Sequence, residues 1–283
     1  MKGEGENLFN RKFIKFRLAT IICGIFFLTC EEPLPTSALD TGSSDYELPE
    51  TTIVDGPSST NITTISTVTF TFSGNELVTE FSYSLVFESG DQVWSDWFSD
   101  STVTLEKLDE GSHTFYVKGR YSNEDEDPTP AEQSFTIDAV QGPSIRVFPQ
   151  VITVKENSVF DIHVYAEEIS EDGAVAGMEI QLEYDDQTLQ YREISKGQLL
   201  TDYLGTNIFI DEHTSGDLTI TIGITEEGSN EGLMGTGSLF SISFNAQAVG
   251  ISNINIISAE LRDPENNTIT INQQISGSIN IVQ

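Results

Sequence analysis

The chain has 283 residues, of which 37% are hydrophobic, and a formal net charge of −32. This length accommodates one large or two ordinary domains, and the hydrophobic content excludes global disorder. The strong negative charge excludes nucleic acid and anionic membrane surfaces as partners. Both cysteines, Cys23 and Cys30, lie near the N-terminus, so the rest of the sequence forms no disulfide framework.

The N-terminal segment has the pattern of an export signal. An uncharged apolar run at 18–28 follows four basic residues, Arg11, Lys12, Lys15 and Arg17. The run is shorter than the roughly 20 residues that span a bilayer, so it predicts a signal peptide over residues 1–29. Because Cys30 follows the run, the segment resembles a bacterial lipoprotein signal, which implies lipidation of Cys30. An ordinary secretory signal is the alternative.

Residues 30–50 are rich in proline, serine, threonine, glycine and acidic side chains, with no hydrophobic period. This composition predicts a flexible acidic tether with an average reach of about 25 Å. We therefore expect an exported protein that is lipid-anchored at the bacterial cell envelope and faces the periplasm or the exterior. The anchor would be its only contact with the membrane.

Residues 51–140 contain short alternating runs separated by turn clusters, which predict a small β-sandwich of immunoglobulin type. The runs are 62–72, 80–87, 92–98, 103–108, 113–120 and 133–137. The segment W-S-D-W and the residues after it resemble fibronectin type III and related bacterial Ig-like repeats. Because Trp94 and Trp97 are three residues apart, they cannot share one face of a strand. We expect one ring in the core and the other at the surface.

No catalytic or metal-binding set stands out. The acidic loop 123–130 lacks the spacing of an EF-hand, so a solvated loop is favoured over a weak calcium site. His113, His163 and His213 are far apart and are expected at the surface. Nucleophile elbows, zinc-binding helices and phosphate loops do not occur in the sequence, and we predict no enzyme, no metal and no cofactor.

Residues 144–283, after a short linker at 141–143, predict a second and larger all-β domain. Alternating runs continue to the C-terminus and indicate about ten strands, consistent with an all-antiparallel sandwich of jelly-roll type. The runs are 145–148, 151–155, 160–166, 177–184, 189–194, 207–210, 218–225, 238–245, 254–261, 268–273 and 277–282. The expected fold class is thus all-β, with two β-sandwich domains.

The run 178–184 shows the clearest strand pattern of this segment. Methionine, isoleucine, leucine and tyrosine alternate with Glu179, Gln181 and Glu183. A period of two predicts a half-buried strand whose polar side chains face water. If the run 218–225 lies beside it, Thr219 and Thr221 extend the same flat, acidic face.

The order of motifs across residues 144–283 resembles the cohesin domain. The motifs are V-I-T-V-K-E-N-S-V-F-D-I-H-V, the run just described with its terminal Y-D, K-G-Q-L-L, D-L-T-I-T-I-G-I-T-E-E-G and G-T-G-S-L-F-S-I-S-F-N-A. The resemblance implies a non-catalytic sandwich that binds a dockerin, a small helical module of another protein that carries the calcium. It also implies an extracellular assembly, in some cases one that degrades polysaccharides.

The resemblance adds two positions, Gly177 and Glu226, to the predicted binding site and supports a third, Glu179. Gly177 and Glu179 match the family's binding asparagine and aspartate, and Glu226 matches an acidic residue after a later strand. The full set of predicted partner-binding residues is Gly177, Glu179, Gln181, Glu183, Thr219, Thr221 and Glu226.

Two other functions remain open at this point. A carbohydrate-binding or adhesion module would present a row of exposed aromatic side chains, for which the second domain offers Tyr165, Tyr184, Tyr191 and Tyr203. A structural surface stalk without a discrete ligand would present a featureless face and could self-associate.

Overall fold

A computed structural model of the chain describes residues 38–58, 60, 62–225 and 232–283. The predicted signal peptide, Cys30 and residues 31–37 of the predicted tether lie outside these ranges. The first compact unit, Met1–Tyr46, is described only from residue 38, where turns occur. The second unit, Glu47–Gln283, holds every strand in the described ranges. No helix in those ranges is both long and apolar enough to span a bilayer.

The N-terminal sandwich consists of two sheets. Its strands are β1 (Thr51–Asp55), β2 (Ile62–Thr63), β3 (Val68–Gly74), β4 (Glu80–Phe87), β5 (Thr102–Leu105), β6 (Gly111–Arg120) and β7 (Ala131–Ile137). One sheet has the order β1-β3-β5 and the other the order β2-β7-β6-β4. Between them lies an aromatic core in which Phe70 stacks on Phe115 with 3.9 Å between ring centroids.

Two predicted strands of this sandwich differ from the structure. The predicted run 62–72 is divided between β2 and β3, because the chain crosses from one sheet to the other between them. The predicted strand 92–98 is an extended segment with one isolated bridge, between Phe81 and Phe98. It lies antiparallel beside β4, where Ser82 Oγ donates to the carbonyl oxygen of Ser95 at 2.8 Å.

The prediction for the two tryptophans was wrong, because both rings are half-buried and neither belongs to the core. Lys118 Nζ lies 4.6 Å from the ring centroid of Trp94, and the guanidinium of Arg120 lies 4.4 Å from that of Trp97. Long cationic side chains on the outer face of β6 therefore pack against both rings, through cation–π contacts and their aliphatic stems.

The C-terminal sandwich begins at residue 144 and also has two sheets. Its strands are β8 (Ser144–Phe148), β9 (Val151–Lys155), β10 (Val159–Ile169), β11 (Gly177–Tyr184), β12 (Leu189–Lys196), β13 (Thr206–Thr214), β14 (Asp217–Thr225), β15 (Gly235–Ala246), β16 (Gly250–Arg262), β17 (Thr268–Ile269), β18 (Gln273–Ile275) and β19 (Gly277–Val282). A 3₁₀ helix spans Glu171–Gly173, and the helix α1 spans Gln198–Thr201.

The two sheets of the C-terminal sandwich enclose one core. The first sheet has the order β12-β15-β10-β8-β18, and the second has the order β13-β14-β11-β16-β19-β9, with β17 beside β16. Inward side chains such as Ile162, Ile180 and Ile242 are fully buried between them. The predicted fold class, all-β with a jelly-roll second sandwich, is confirmed.

The expectation of an all-antiparallel second sandwich was wrong at its edges. There, β18 pairs with β8 and β19 pairs with β9, both in parallel. The cause is that the chain crosses from the first sheet to the second between β8 and β9, and again between β18 and β19. As a result β18 lies beside β8 in the first sheet, and β19 lies beside β9 in the second.

A β-bulge interrupts β16 opposite β11. Gln181 pairs with Ser258 and Leu182 pairs with Ile256, so Ile257 has no opposite residue. The bulge turns Ile257 outward, where 56% of its surface is exposed. The alternation assumed for the run 254–261 therefore breaks at this residue.

We expect the substitution Phe70→Ala to lower the free energy of unfolding of the N-terminal sandwich by about 3–5 kcal/mol, because it opens a cavity against Phe115. Urea unfolding followed by tryptophan fluorescence measures this, since both tryptophans of the chain lie in this sandwich. Ile65→Ala is the control: that side chain is 61% exposed, and the change should stay within about 0.5 kcal/mol. Equal effects of the two substitutions would contradict the assigned core.

Candidate functional site

Four neighbouring strands of the second sheet, in the order β13-β14-β11-β16, present one continuous outer surface, here called the acidic face. All pairs among them are antiparallel, and β11 lies between β14 and β16. Since side chains of a strand alternate between the two sides of the sheet, the pairing sets which residues stand next to each other outside.

The register arranges the outward residues in four rows across the strands. From β13 to β16 the rows are Ile208, Gly223, Gly177, Arg262; then Ile210, Thr221, Glu179, Glu260; then Glu212, Thr219, Gln181, Ser258; then Thr214, Asp217, Glu183, Asn255. Six of the seven predicted binding residues are thus on this one surface. Glu226 lies outside the described residues.

Glu179 stands directly opposite another carboxylate, that of Glu260 on β16. Glu260 has a cation close by, since Arg262 Nη2 donates to its Oε2 at 3.2 Å. Glu179 instead accepts a hydrogen bond from the neutral amide of Gln181 at 3.1 Å. Like charges at directly opposite positions destabilise a sheet, so a positive group placed over this pair would be favoured electrostatically.

A shallow notch lies at one end of the acidic face, where Gly177 and Gly223 are paired. A Cβ atom built on Gly223 would meet only Ile208, at 3.8 Å, and one built on Gly177 would meet only Arg262, also at 3.8 Å. Both are ordinary contacts, so side chains could be accommodated here. Their absence leaves the backbone of two central strands open to a partner.

Three isoleucines make part of the acidic face apolar. Ile208 is 49% exposed, Ile210 is 50% exposed, and Ile257 in the bulge is 56% exposed. None of the three was predicted from the sequence, because the pattern of the run 207–210 indicated no outward side and the bulge depends on pairing with β11. The signal available for Ile257 was the doubled isoleucine at 256–257, which breaks a period of two.

An aromatic and histidine cluster lies on the inner side of the same sheet, at the end opposite the notch. Tyr184 Oη and His213 Nε2 are 2.7 Å apart, and the ring of Tyr191 stacks on His213 with 4.1 Å between centroids. Burial raises the pKa of the Tyr184 phenol above its ordinary value. Next to Glu183 and Tyr184 lies an open polar groove of about 310 Å³, also lined by Asn253 and Asn255.

The four tyrosines considered for sugar binding do not form one row. Tyr184 is buried at 5% exposure on the inner side of β11, and Tyr165 lies on β10, in the other sheet. Tyr191 and Tyr203 are half-buried on β12 and after α1. They therefore do not provide the planar platform expected of a carbohydrate-binding module.

The predictions for the acidic loop and the histidines need two corrections. In the loop 123–130, Asp127 is 3% exposed and its Oδ1 accepts a hydrogen bond from the backbone N–H of Thr129 at 2.8 Å, so the loop is not wholly solvated. His113 is also 3% exposed, and its Nε2 donates to the carbonyl oxygen of Asp109 at 2.8 Å. Within the described ranges, no group of three or more histidine, cysteine or acidic residues is placed to hold a metal ion.

Comparison with known proteins gives a match for the C-terminal sandwich. Residues 146–281 match the family model of the cohesin domain. No curated protein sequence matches the chain.

Several solved structures are similar to about half of the chain. A non-cellulosomal cohesin from the archaeon Archaeoglobus fulgidus has 18% identity and a TM-score of 0.41, covering 50% of this chain and 92% of that one. The sixth cohesin of scaffoldin B from Acetivibrio cellulolyticus, solved with a dockerin mutant, has 15% identity and a TM-score of 0.43, covering 50% and 100%. A cohesin module of a family 33 glycoside hydrolase from Clostridium perfringens has 14% identity and a TM-score of 0.38, covering 49% and 97%.

The matched residues begin in β8 and end in β19, so they include the whole acidic face. Cohesin domains are non-catalytic modules of protein–protein interaction. Residues 146–281 of this chain are a cohesin domain.

Proposed function

We propose that this chain is a non-catalytic receptor of the bacterial cell surface, whose acidic face binds a dockerin-type module of another protein. The observation that carries the proposal is the pair of facing carboxylates, Glu179 and Glu260, at the centre of an open four-strand surface in a cohesin domain. A helical partner that presents a lysine or arginine there would relieve the repulsion between the two carboxylates.

The shape and chemistry of the face suit a helical partner in two further ways. Ile208 and Ile210 are each about half exposed and form an apolar edge. A partner that covers this edge removes apolar surface from water, which favours binding. Beside them, the notch at Gly177 and Gly223 allows a partner side chain to approach the backbone closely. A net charge of −32 also attracts a basic surface over long range and raises its rate of association.

The rest of the chain supports display of this face away from the cell. We propose a lipid anchor at Cys30, a tether over residues 30–50, an Ig-like spacer over 51–140 and the cohesin domain over 144–283. The strand orders β1-β3-β5 and β2-β7-β6-β4 support an Ig-like spacer. If β1 and the short β2 together count as the first Ig strand, then β4, β6 and β7 correspond to the third, sixth and seventh strands, which share one sheet in Ig domains. The assembly that it serves would lie outside the cytoplasm, and polysaccharide degradation is one such role.

The direct test is a calcium-dependent pull-down. Residues 31–283 are immobilised, secreted and surface proteins of the source bacterium are passed over them with calcium, and bound proteins are eluted with a chelator. Recovery of proteins that carry dockerin modules supports the proposal. A folded chain that retains none of them in calcium contradicts it.

We expect Glu179→Lys to weaken capture at least tenfold while leaving the fold intact. The new lysine stands opposite Glu260 and would repel the partner's cation, yet it replaces a repulsive pair within the sheet by an attractive one. The readout is surface plasmon resonance with the captured protein, beside a thermal unfolding scan.

The matched control is Glu193→Lys, which makes the same change at an exposed glutamate on β12, in the opposite sheet. This variant should bind like the wild type. Equal losses of affinity in both variants would mean that net charge, and not the acidic face, governs capture.

We expect the double substitution Ile208→Ser and Ile210→Ser to reduce affinity by about tenfold to a hundredfold, because it removes an apolar edge that the partner would cover. Isothermal titration measures the affinity, and the heat-capacity change of binding should become less negative. Val159→Ser, at a 54% exposed position of β10, serves as the control for removal of an exposed apolar side chain. An unchanged affinity in the double variant would exclude β13 from the binding surface.

Lipidation has its own test. Cells that express the chain with labelled palmitate should incorporate the label into the wild type, and Cys30→Ser should abolish the label and release the protein into the soluble fraction. Cys23→Ser is the matched control, because we expect that cysteine to be removed with the signal peptide. Labelling that persists in Cys30→Ser would rule out the proposed anchor.

A further inference from the structure

The two sandwiches meet at a buried arginine, Arg146 of β8, which contacts carboxylates from both. Its Nε donates to Oε1 of Glu167 on β10 at 2.5 Å, and its Nη1 lies 3.6 Å from Oδ1 of Asp109, which precedes β6 in the N-terminal sandwich. The side chains of Arg146 and Glu167 are 7% and 6% exposed. Within the described part of the chain, Arg146 Nη1 has no hydrogen-bond partner.

Further contacts fasten Asp109 to the junction. Its Oδ1 accepts the backbone N–H of Gln150 at 2.9 Å, and its carbonyl oxygen accepts His113 Nε2. The neighbouring Glu110 carboxylate accepts the backbone N–H groups of Ala139 and Val140, at 3.0 and 3.1 Å. The end of the N-terminal sandwich and the start of the C-terminal one are therefore held by carboxylates.

The charged side chains of this junction are largely shielded from bulk solvent. The guanidinium of Arg146 packs over the rings of Tyr165 and Phe148, at 4.8 and 5.2 Å from their centroids, and Phe148 also packs against Phe87 of the N-terminal sandwich at 5.6 Å. A cavity of about 240 Å³ lies beside Asp109, and apolar side chains such as Leu108 and Val147 form part of its wall. Partial burial makes the ionised form of Asp109 less favourable than it is in water.

The charges at the junction do not balance when every carboxylate is ionised. One guanidinium, that of Arg146, faces three carboxylates, those of Asp109, Glu110 and Glu167. Two further acidic residues, Glu88 and Asp138, lie near these groups, and the nearby phenol of Tyr165 is neutral. His113 adds no positive charge near neutral pH, because burial lowers its pKa.

We propose that Asp109 forms a pH-dependent contact between the two sandwiches, here called the latch. When Asp109 is protonated, the sandwiches close on Arg146 as one body. When it is ionised, an excess negative charge is buried at the junction and the junction opens more often. The orientation of the C-terminal sandwich, with its acidic face, relative to the N-terminal sandwich is then more restricted at mildly acidic pH than at neutral pH.

The pH dependence of the latch follows from the direction in which burial moves the pKa of the Asp109 carboxyl group. Burial raises the pKa of Asp109 from 3.8 to about 6, against the opposing effects of the Gln150 N–H and Arg146. When the sandwiches separate, Asp109 regains water and its ordinary pKa. The closed junction therefore holds more protons between pH 4 and 6, and its stability falls as pH rises through that range.

Hydrogen exchange of the Gln150 amide tests the latch, because that N–H donates to Asp109 across the junction. Measured on the full chain and corrected for the intrinsic pH dependence of exchange, its protection should fall roughly 25-fold from pH 4.5 to pH 7.5. A Gln150 protection that is constant with pH would overturn the proposal.

Two variants identify the titrating group. Asp109→Asn keeps an acceptor for the Gln150 N–H but cannot ionise, so the fall should disappear; persistence of the fall would show that another group causes it. Asp161→Asn, the same substitution at an exposed position of β10, should retain the wild-type fall. If Asp109→Asn does not fold, Glu167→Gln replaces it. By freeing Arg146 for Asp109, it should reduce the fall below about tenfold, and an unchanged fall would count against the latch.

Discussion

The pairing of β11 with β14 on one side and β16 on the other determines the arrangement of the whole acidic face. Every outward residue of these strands takes its neighbours from this one register. A slip by one residue would turn Met178 and Ile180 into water and bury Glu179. Since burial of those apolar side chains holds the two sheets together, the stability of the core and the composition of the face depend on the same hydrogen-bond ladder.

Local alternation was sufficient to predict some elements, and long-range contacts explain where it failed. Strands β11 and β19 have the bounds that the period of two indicated, because each has one side against the core. The parallel pairs β8–β18 and β9–β19 join residues that are far apart in sequence, and no local pattern encodes them. The positions of Trp94 and Trp97 likewise depend on Lys118 and Arg120, which belong to a different strand.

The same limit applies to the candidate site. The polar residues of β11 and β14 were identified because each alternates with a buried neighbour. Glu260 and the isoleucines of β13 were missed, since their importance arises only when four strands are side by side. The carboxylate pair at the centre of the face is therefore a property of the sheet and not of any one strand.

Scarcity of positive charge connects the face with the junction. The chain has 13 basic and 45 acidic residues, so most carboxylates have no cation of their own. Cations within the sandwiches occupy definite places: Arg146 lies between the two sandwiches, Arg262 lies beside Glu260, and Arg120 pairs with Glu80 at 2.7 Å. Glu179 and Asp109 are left with incomplete compensation, one at the surface and one buried. The first favours an external cation, and the second favours a proton.

The bulge at Ile257 also bears on how such a face can change over time. Ile256 faces the core and Ser258 faces outward, so a strand without Ile257 would still alternate correctly. One residue can thus be inserted or deleted here without exchanging the inner and outer sets of β16. Binding surfaces in sheets are usually confined to substitutions, because an insertion reverses the side-chain pattern beyond it. At this position the C-terminal sandwich can therefore gain or lose one surface residue while the packing between its sheets is preserved.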